Sequence, residues 1–153
     1  MLLKDILGGD VVSNLTKFPV VYIEHTSDIG IRASGKTLEE ALENLGYGVV
    51  NLWLEDGGEL IEEREIEINA DTKEDLVVAF VNELIYLLEG ERFLTLKCKV
   101  LKLTDNHLKV SLKGERFSPE KHKLAIQIKA CTYHNLKVEQ NEDDCLIEVI
   151  LDV

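Results

Sequence analysis

Apolar and polar positions alternate with a period of two along several stretches of the chain and follow a helical period in two others. "VVYIE" at 20–24 and "DIGIRASG" at 28–35 predict a first pair of strands. In the second strand Ile29, Ile31 and Ala33 face inward and Arg32 and Ser34 outward. Gly35-Lys36 turns the chain. Thr37-Leu38-Glu39-Glu40 is then a capping box, in which the threonine hydroxyl takes an orphan amide and Glu40 reaches back. Leu38, Leu42, Leu45, Val49 and Trp53 share one helical face after it. Gly46 and Gly48 interrupt that helix, which predicts either a close approach by another backbone or a frayed end.

"REIEINA" predicts a third strand, and "DTKE" at 71–74 a second capping box. Leu76, Phe80, Leu84, Leu87 and Leu88 follow at helical spacing, with Gly90 as the stop. "FLTLKCKVLKL" and "LKVSLKG" are strands joined by "TDNH" into a hairpin. The phase slips at Val100-Leu101, which predicts a bulge. "KLAIQIKACTYH" and "CLIEVILDV" are the last two long strands, with a small one at 136–138. The element order predicts an α+β fold: a curved, largely antiparallel, barrel-like sheet flanked by two α-helices. Residues 1–17 read as an N-terminal arm and 18–153 as a single domain.

Composition narrows the class. The chain has 153 residues, 45% apolar and 30% charged, which suits one globular domain. No stretch approaches the roughly 20 apolar residues of a membrane helix. The first residues lack an apolar secretion core and a cleavage site, so the cytoplasm is the expected location and no membrane partner is expected. Cys98, Cys131 and Cys145 are far apart with no CxxC pair, which predicts reduced thiols packed as small apolar groups. A zinc site made from them and His134 has no support in the spacing. The net charge of −12 disfavours nonspecific nucleic-acid binding. Yet residues 92–137 hold 11 Lys and Arg against 3 Asp and Glu, one basic zone on an acidic protein. Such a zone can orient docking. In the predicted hairpin Lys97, Lys99, Lys109 and Lys113 alternate outward, as either an interaction face or a solvated one.

No phosphate-binding glycine loop, dinucleotide fingerprint or serine nucleophile elbow is present, so no catalytic residue is predicted. Three polar clusters remain. Glu24, His25 and Asp28 sit at a predicted strand end beside a glycine, a setting that suits Mg²⁺ or Ca²⁺. Thr26, Ser27 and Asp28 can equally satisfy turn amides. In "IKACTYHNL", alternation puts Ile128, Ala130 and Thr132 on one face and Lys129, Cys131 and Tyr133 on the other. Lys129 there needs an anionic partner, or it snorkels to solvent. In "EVILDV", Asp152 lies one residue from the Val153 carboxylate. Two such groups repel unless a cation sits between them, or they belong to a solvated end.

"EHTSDIGIRASGKTLEEALENLG", "DLVVAFVNELIYL", "IKACTYHNLKV" and the final "ILDV" together resemble the archease family over nearly all of residues 20–153. The specific elements are HT-x-DIG, IKA-x-TYH and an aspartate plus an aliphatic residue at the end. The resemblance implies a small non-catalytic protein that activates an RtcB-type RNA ligase. It would promote ligase guanylylation and multiple turnover in tRNA splicing or RNA repair, meeting tRNA only indirectly. It also implies a divalent metal, Ca²⁺ or Mg²⁺, at Asp28, Asp152 and Val153, and a functional lysine at Lys129. Glu24 and His25 would orient Asp28, and Tyr133 and His134 belong to the matching terminal motif. Ser27 stands where alanine is commoner, and Ala79 where the family usually has an acidic residue, so no role carries over to Ala79. An alternative is a chaperone, or a modulator of a tRNA-modifying enzyme such as a tRNA methyltransferase. A phosphohydrolase using Asp28 and Asp152 would lack a general base. The sequence predicts no oligomeric state.

Overall fold

Val20–Glu24 forms β1 and Asp28–Gly35 forms β2 in the computed structural model, which describes residues 19–24, 27–54 and 57–153. The two strands pair antiparallel, Val20 opposite Ala33 and Glu24 opposite Ile29. Ile29, Ile31 and Ala33 are buried as expected, while Arg32 faces out and pairs with Glu148 at 2.9 Å. The predicted arm at 1–17 and His25 lie outside the described residues.

Helix α1 spans Leu38–Trp53. Its cap is the predicted one, Thr37 Oγ1 accepting from the Glu40 N–H at 3.1 Å. Gly46 and Gly48 prove to be close-approach positions. A Cβ on Gly46 would lie 2.8 Å from Cys98 Sγ, and one on Gly48 would lie 2.9 Å from Val20 Cγ1. Two strands therefore press on the helix, and the Tyr22 hydroxyl donates to the Gly48 carbonyl at 2.8 Å.

Glu62–Asn69 forms β3 and Lys73–Glu91 forms α2. The cap of α2 falls one residue later than expected. Thr72, not Asp71, accepts from the Asp75 N–H at 3.0 Å. Asp71 is held outside the helix, where its carbonyl accepts from Asn106 Nδ2 at 2.9 Å. The helix also runs through Gly90 and reverses at Arg92, in the left-handed region at φ 58°. The next element sets that position: Phe93 must enter the core at once, and the Arg92 carbonyl accepts from the Phe117 N–H at 2.7 Å.

Phe93–Leu103 and His107–Arg116 form the β4–β5 hairpin. The predicted bulge is present: Val100 faces Val110, Leu101 is skipped, and Lys102 faces Lys109. Ala130–Gln140 forms β6 and Cys145–Asp152 forms β7. The α+β class with two helices and antiparallel pairing holds. The single barrel-like sheet is replaced by two open ones, ordered β1-β2-β7-β6 and β3-β5-β4. Helix α1 packs on β2, β7 and β4, and α2 packs on β6, β4 and β3. Both helices thus touch both sheets, and apolar side chains such as Trp53, Phe80 and Leu84 join the layers in place of ladder hydrogen bonds.

The chain crosses from the second sheet to the first between β5 and β6. Residues 123–129, expected as the start of a long strand, are mainly this crossing. Leu124 bridges to Leu54, and the Ala125 N–H donates to the Trp53 carbonyl at 2.6 Å. Buried Glu115 anchors the other end of the crossing, accepting from the Glu59 N–H and from the Lys121 ammonium. His122 Nδ1 accepts from the Ser118 N–H at 3.0 Å, which leaves the ring proton on Nε2, 3.4 Å from Glu115 Oε2. Burial raises the Glu115 pKa, but these donors outweigh it and bring it down to about 2.

Candidate functional site

Asp28 opens β2 and Asp152 closes β7, and register places them directly opposite each other. On the other side of β7, Ala130 opens β6 opposite Asp152, and the Lys129 N–H donates to the Asp152 carbonyl at 2.8 Å. Three strand ends therefore share one row. The adjacent row, Ile29, Leu151 and Cys131, is buried throughout and fixes the register, because a slip of one residue would turn each of these side chains to the opposite face.

Asp28 Oδ1 is buried and has no hydrogen-bond partner among the described residues. A carboxylate oxygen in that state is unfavourable unless a donor or cation meets it. Asp152 is exposed, and Val153 is half-buried against the core. Burial, and then the charge of Asp152, push the Cys131 thiol up to about 12. The donors are oxygens, which suit a hard divalent cation. Among the described residues no group of three or more His, Cys, Asp and Glu stands together. A third donor would have to come from the main-chain oxygens of Val153 or from residues outside those described.

The remaining predicted residues divide. Glu24 is exposed at the end of β1, opposite Ile29 and one row from Asp28. Lys129 is exposed, with no ion pair among the described residues. Its expected shared face with Cys131 is not found, because Ile128 and Cys131 are both buried. Residue 129 still belongs to the crossing, and strand alternation begins only at Ala130. Tyr133 donates its hydroxyl to Asp75 Oδ1 at 2.8 Å, which ties it to α2 and raises its pKa. His134 is exposed, and its Nε2 lies 3.3 Å from Asn135 Nδ2. Both follow Thr132, where the ladder to β7 lapses until Lys137.

Asn82 on α2 is a residue that the sequence reading missed. Its Oδ1 accepts from the Cys131 N–H at 2.9 Å and its Nδ2 donates to the Cys131 carbonyl at 3.2 Å. The side-chain amide acts as a one-residue strand that covers the edge of β6. The available signal was a polar residue inside the apolar run "VVAFVNELI".

The four predicted lysines lie on the outer face of the β3-β5-β4 sheet. Lys97 faces Lys113, Lys99 faces Ser111, and Lys109 faces Lys102. Lys109 is within 3.5 Å of Glu65 and 3.8 Å of Glu67, whereas Lys97, Lys99 and Lys113 have no ion pair among the described residues. The three cysteines are free, Cys131 and Cys145 being buried. No helix among the described residues is long and apolar enough to cross a membrane.

Residues 21–153 match the model of the Archease protein family (MTH1598/TM1083). The chain is 39% identical over 127 residues to protein archease of Thermococcus kodakarensis, covering 80% of this chain and 89% of that one. It is 33% identical over 139 residues to protein archease of Methanosarcina acetivorans, covering 86% and 94%. Among solved structures it resembles Methanobacterium thermoautotrophicum protein 1598, with a TM-score of 0.73, 26% identity and coverage of 88% and 99%. It also resembles a Thermotoga maritima archease described as a possible chaperone, with a TM-score of 0.58, 34% identity and coverage of 86% and 94%.

Proposed function

The chain belongs to the archease family, and from that premise we propose that it is a non-catalytic activator of an RtcB-type RNA ligase. The observation that carries this reading is the row of strand ends, in which the buried Asp28 Oδ1, without a hydrogen-bond partner among the described residues, stands opposite Asp152. Asp28, Asp152 and the main-chain oxygens of Val153 would hold a divalent cation, Ca²⁺ or Mg²⁺. Bound there, the cation would offer positive charge to phosphate oxygens at the ligase's nucleotide centre. The chain's own contribution is positional. Asn82 pins Cys131, the Lys129 N–H pins Asp152, and exposed Lys129 stands beside the row as a cation for an anionic group of the partner. Nothing in the donor set supplies a nucleophile, so the chemistry is the ligase's.

The test is ligase turnover with and without this protein, beside calorimetric titration of Ca²⁺ and Mg²⁺. Asp28→Asn keeps the side chain's shape and removes its charge, so it should bind metal weakly and stimulate poorly while folding normally. Normal affinity and full stimulation in that variant would defeat the reading. The second reading, a chaperone, has the description of the Thermotoga maritima relative in its favour. It predicts protection only at or above stoichiometric amounts and without client preference, whereas an activator works at low ratios on one ligase.

A further inference from the structure

The outer face of the β3-β5-β4 sheet is organised in rows. Lys97, Lys113 and Glu63 form one, Lys99, Ser111 and Glu65 the next, and Lys102, Lys109 and Glu67 the third. Read along the strands, β4 carries a lane of lysines and β3 a lane of glutamates. The bulge at Leu101 builds the lysine lane. Without the skipped residue, Leu101 would face Lys109 on this surface and Lys102 would turn to the side lined by Val100 and Val110. Two rows place lysine directly opposite lysine, an arrangement that weakens a sheet. Lys109 is offset by Glu65 and Glu67, but the β4 lysines have no carboxylate partner among the described residues. A charge pattern that costs stability and depends on a bulge calls for a binding role.

The geometry points to a two-lane docking surface for a protein that carries an acidic lane beside a basic one. The inference rests on the reading above and takes the ligase as that partner. The glutamate lane decides between protein and nucleic acid. Lanes on β4 and β3 are two strand spacings apart, about 9.6 Å, which is close to one Debye length at about 0.1 M salt, roughly 10 Å. A polyanion lying along β4 would be repelled by Glu63, Glu65 and Glu67, and the chain's net −12 adds to that. A protein surface with mirrored lanes satisfies both at once and has its register set by them.

The test uses two variants of the full chain in ligase turnover assays over a range of salt. Lys97→Glu/Lys99→Glu/Lys102→Glu reverses the basic lane; two of its new glutamates face Lys113 and Lys109 and the third faces Ser111, so no like charges are set directly opposite one another. Glu65→Lys/Glu67→Lys reverses the acidic lane and leaves Glu63 in place, because Glu63 accepts from the Ser111 hydroxyl at 2.9 Å. Should that reversal lower the melting temperature, Glu65→Gln/Glu67→Gln replaces it. The concentration for half-maximal stimulation should rise about tenfold in the first variant and about threefold in the second, both effects shrinking as salt rises. An unchanged value in either variant overturns the two lanes. A lower value in the Glu→Lys variant overturns the protein partner and makes the surface a nucleic-acid site. A wild-type chain that does not stimulate the ligase at all sinks the functional reading and this inference together, whereas stimulation with indifferent lane variants sinks only this inference.

Discussion

Replacing Asn82 by alanine should loosen the proposed metal site from the far side of β6. The amide accepts from the Cys131 N–H at 2.9 Å and donates to its carbonyl at 3.2 Å, and Cys131 is 5% exposed. Truncation leaves both main-chain groups without a partner in a place water reaches poorly. Each unsatisfied group costs about 1–3 kcal/mol, so for the two a loss of about 2–6 kcal/mol is expected. In a chain of this size that lowers the melting temperature by roughly 4–24 °C. The stretch affected is short, because the β6–β7 ladder pairs Ala130, Cys131 and Thr132 and then lapses until Lys137. With Asn82 gone, Ala130 and the Lys129 N–H should drift from Asp152, and divalent-cation affinity should fall several-fold. Asn82→Asp separates the two bonds: it keeps an acceptor for the Cys131 N–H but sets a carboxylate against the carbonyl, so it should be no better than alanine. The assays are calorimetric melting and Ca²⁺ or Mg²⁺ titration on folded protein. An alanine variant that melts and binds metal like wild type would refute the idea that α2 holds the site together.

Glu115 gives a pH-dependent prediction. Its pKa is lowered from an ordinary 4.5 to about 2, so its stabilisation is present above pH 4.5 and is lost as pH falls towards 2. Glu115→Gln should melt below wild type at neutral pH, with the gap closing across that acid range; a constant gap would contradict it. Burial, with Glu43 for Cys98 and Asp152 for Cys131, pushes both thiols up to about 12, and Cys145 is also raised. At pH 8 about one thiol in 10,000 is then ionised at each of the first two, so native protein should react very slowly with a thiol reagent and unfolded protein promptly. Lys97→Thr removes a like-charge pair with Lys113 and should raise stability by about 0.2–1 kcal/mol, read as a melting-temperature gain of a few degrees.

Local chemistry made much of the fold legible. An apolar run marked β1, strict alternation gave β2 its bounds and inward face, and the Thr37 cap marked the start of α1. The phase slip at Val100-Leu101 marked a bulge that the register confirms. The misplaced ends were set by remote partners. Asp71 satisfies the rule for a cap as well as Thr72 does, and the choice falls to Asn106, 35 residues away. Gly90 is the expected stop, yet the chain reverses at Arg92 because Phe93 and Phe117 fix where β4 must begin. Residues 123–129 alternate like a strand because one side packs on the end of α1. Alternation reports a two-sided environment and not a ladder. The division into two sheets was not legible for the same reason, since pairing partners lie far apart in the chain.

The candidate site follows the same logic, and this bears on how far its residues can be ranked. Asp28 and Asp152 are 124 positions apart, and no local pattern connects them; the likeness to a family singled them out, and the β2–β7 register brings them opposite each other. Register is fixed by apolar neighbours that carry no chemistry, so the row of strand ends inherits its geometry from Ile29, Leu151 and Cys131. Glu24 and Lys129 lie at the edges of that geometry, and the Tyr133 hydroxyl is bound to Asp75 on α2. The ranking that results is physical. Substitutions at Asp28 or Asp152 alter charge at the row itself, those at Asn82 alter how β6 is held against it, and those at Tyr133 act first on the contact between β6 and α2. Tyr133→Phe should therefore lower stability slightly, through one lost bond to a carboxylate at the surface, while leaving metal affinity near that of wild type. A melting curve and a metal titration on the same preparation decide this, and a loss of affinity with unchanged melting would move Tyr133 into the site.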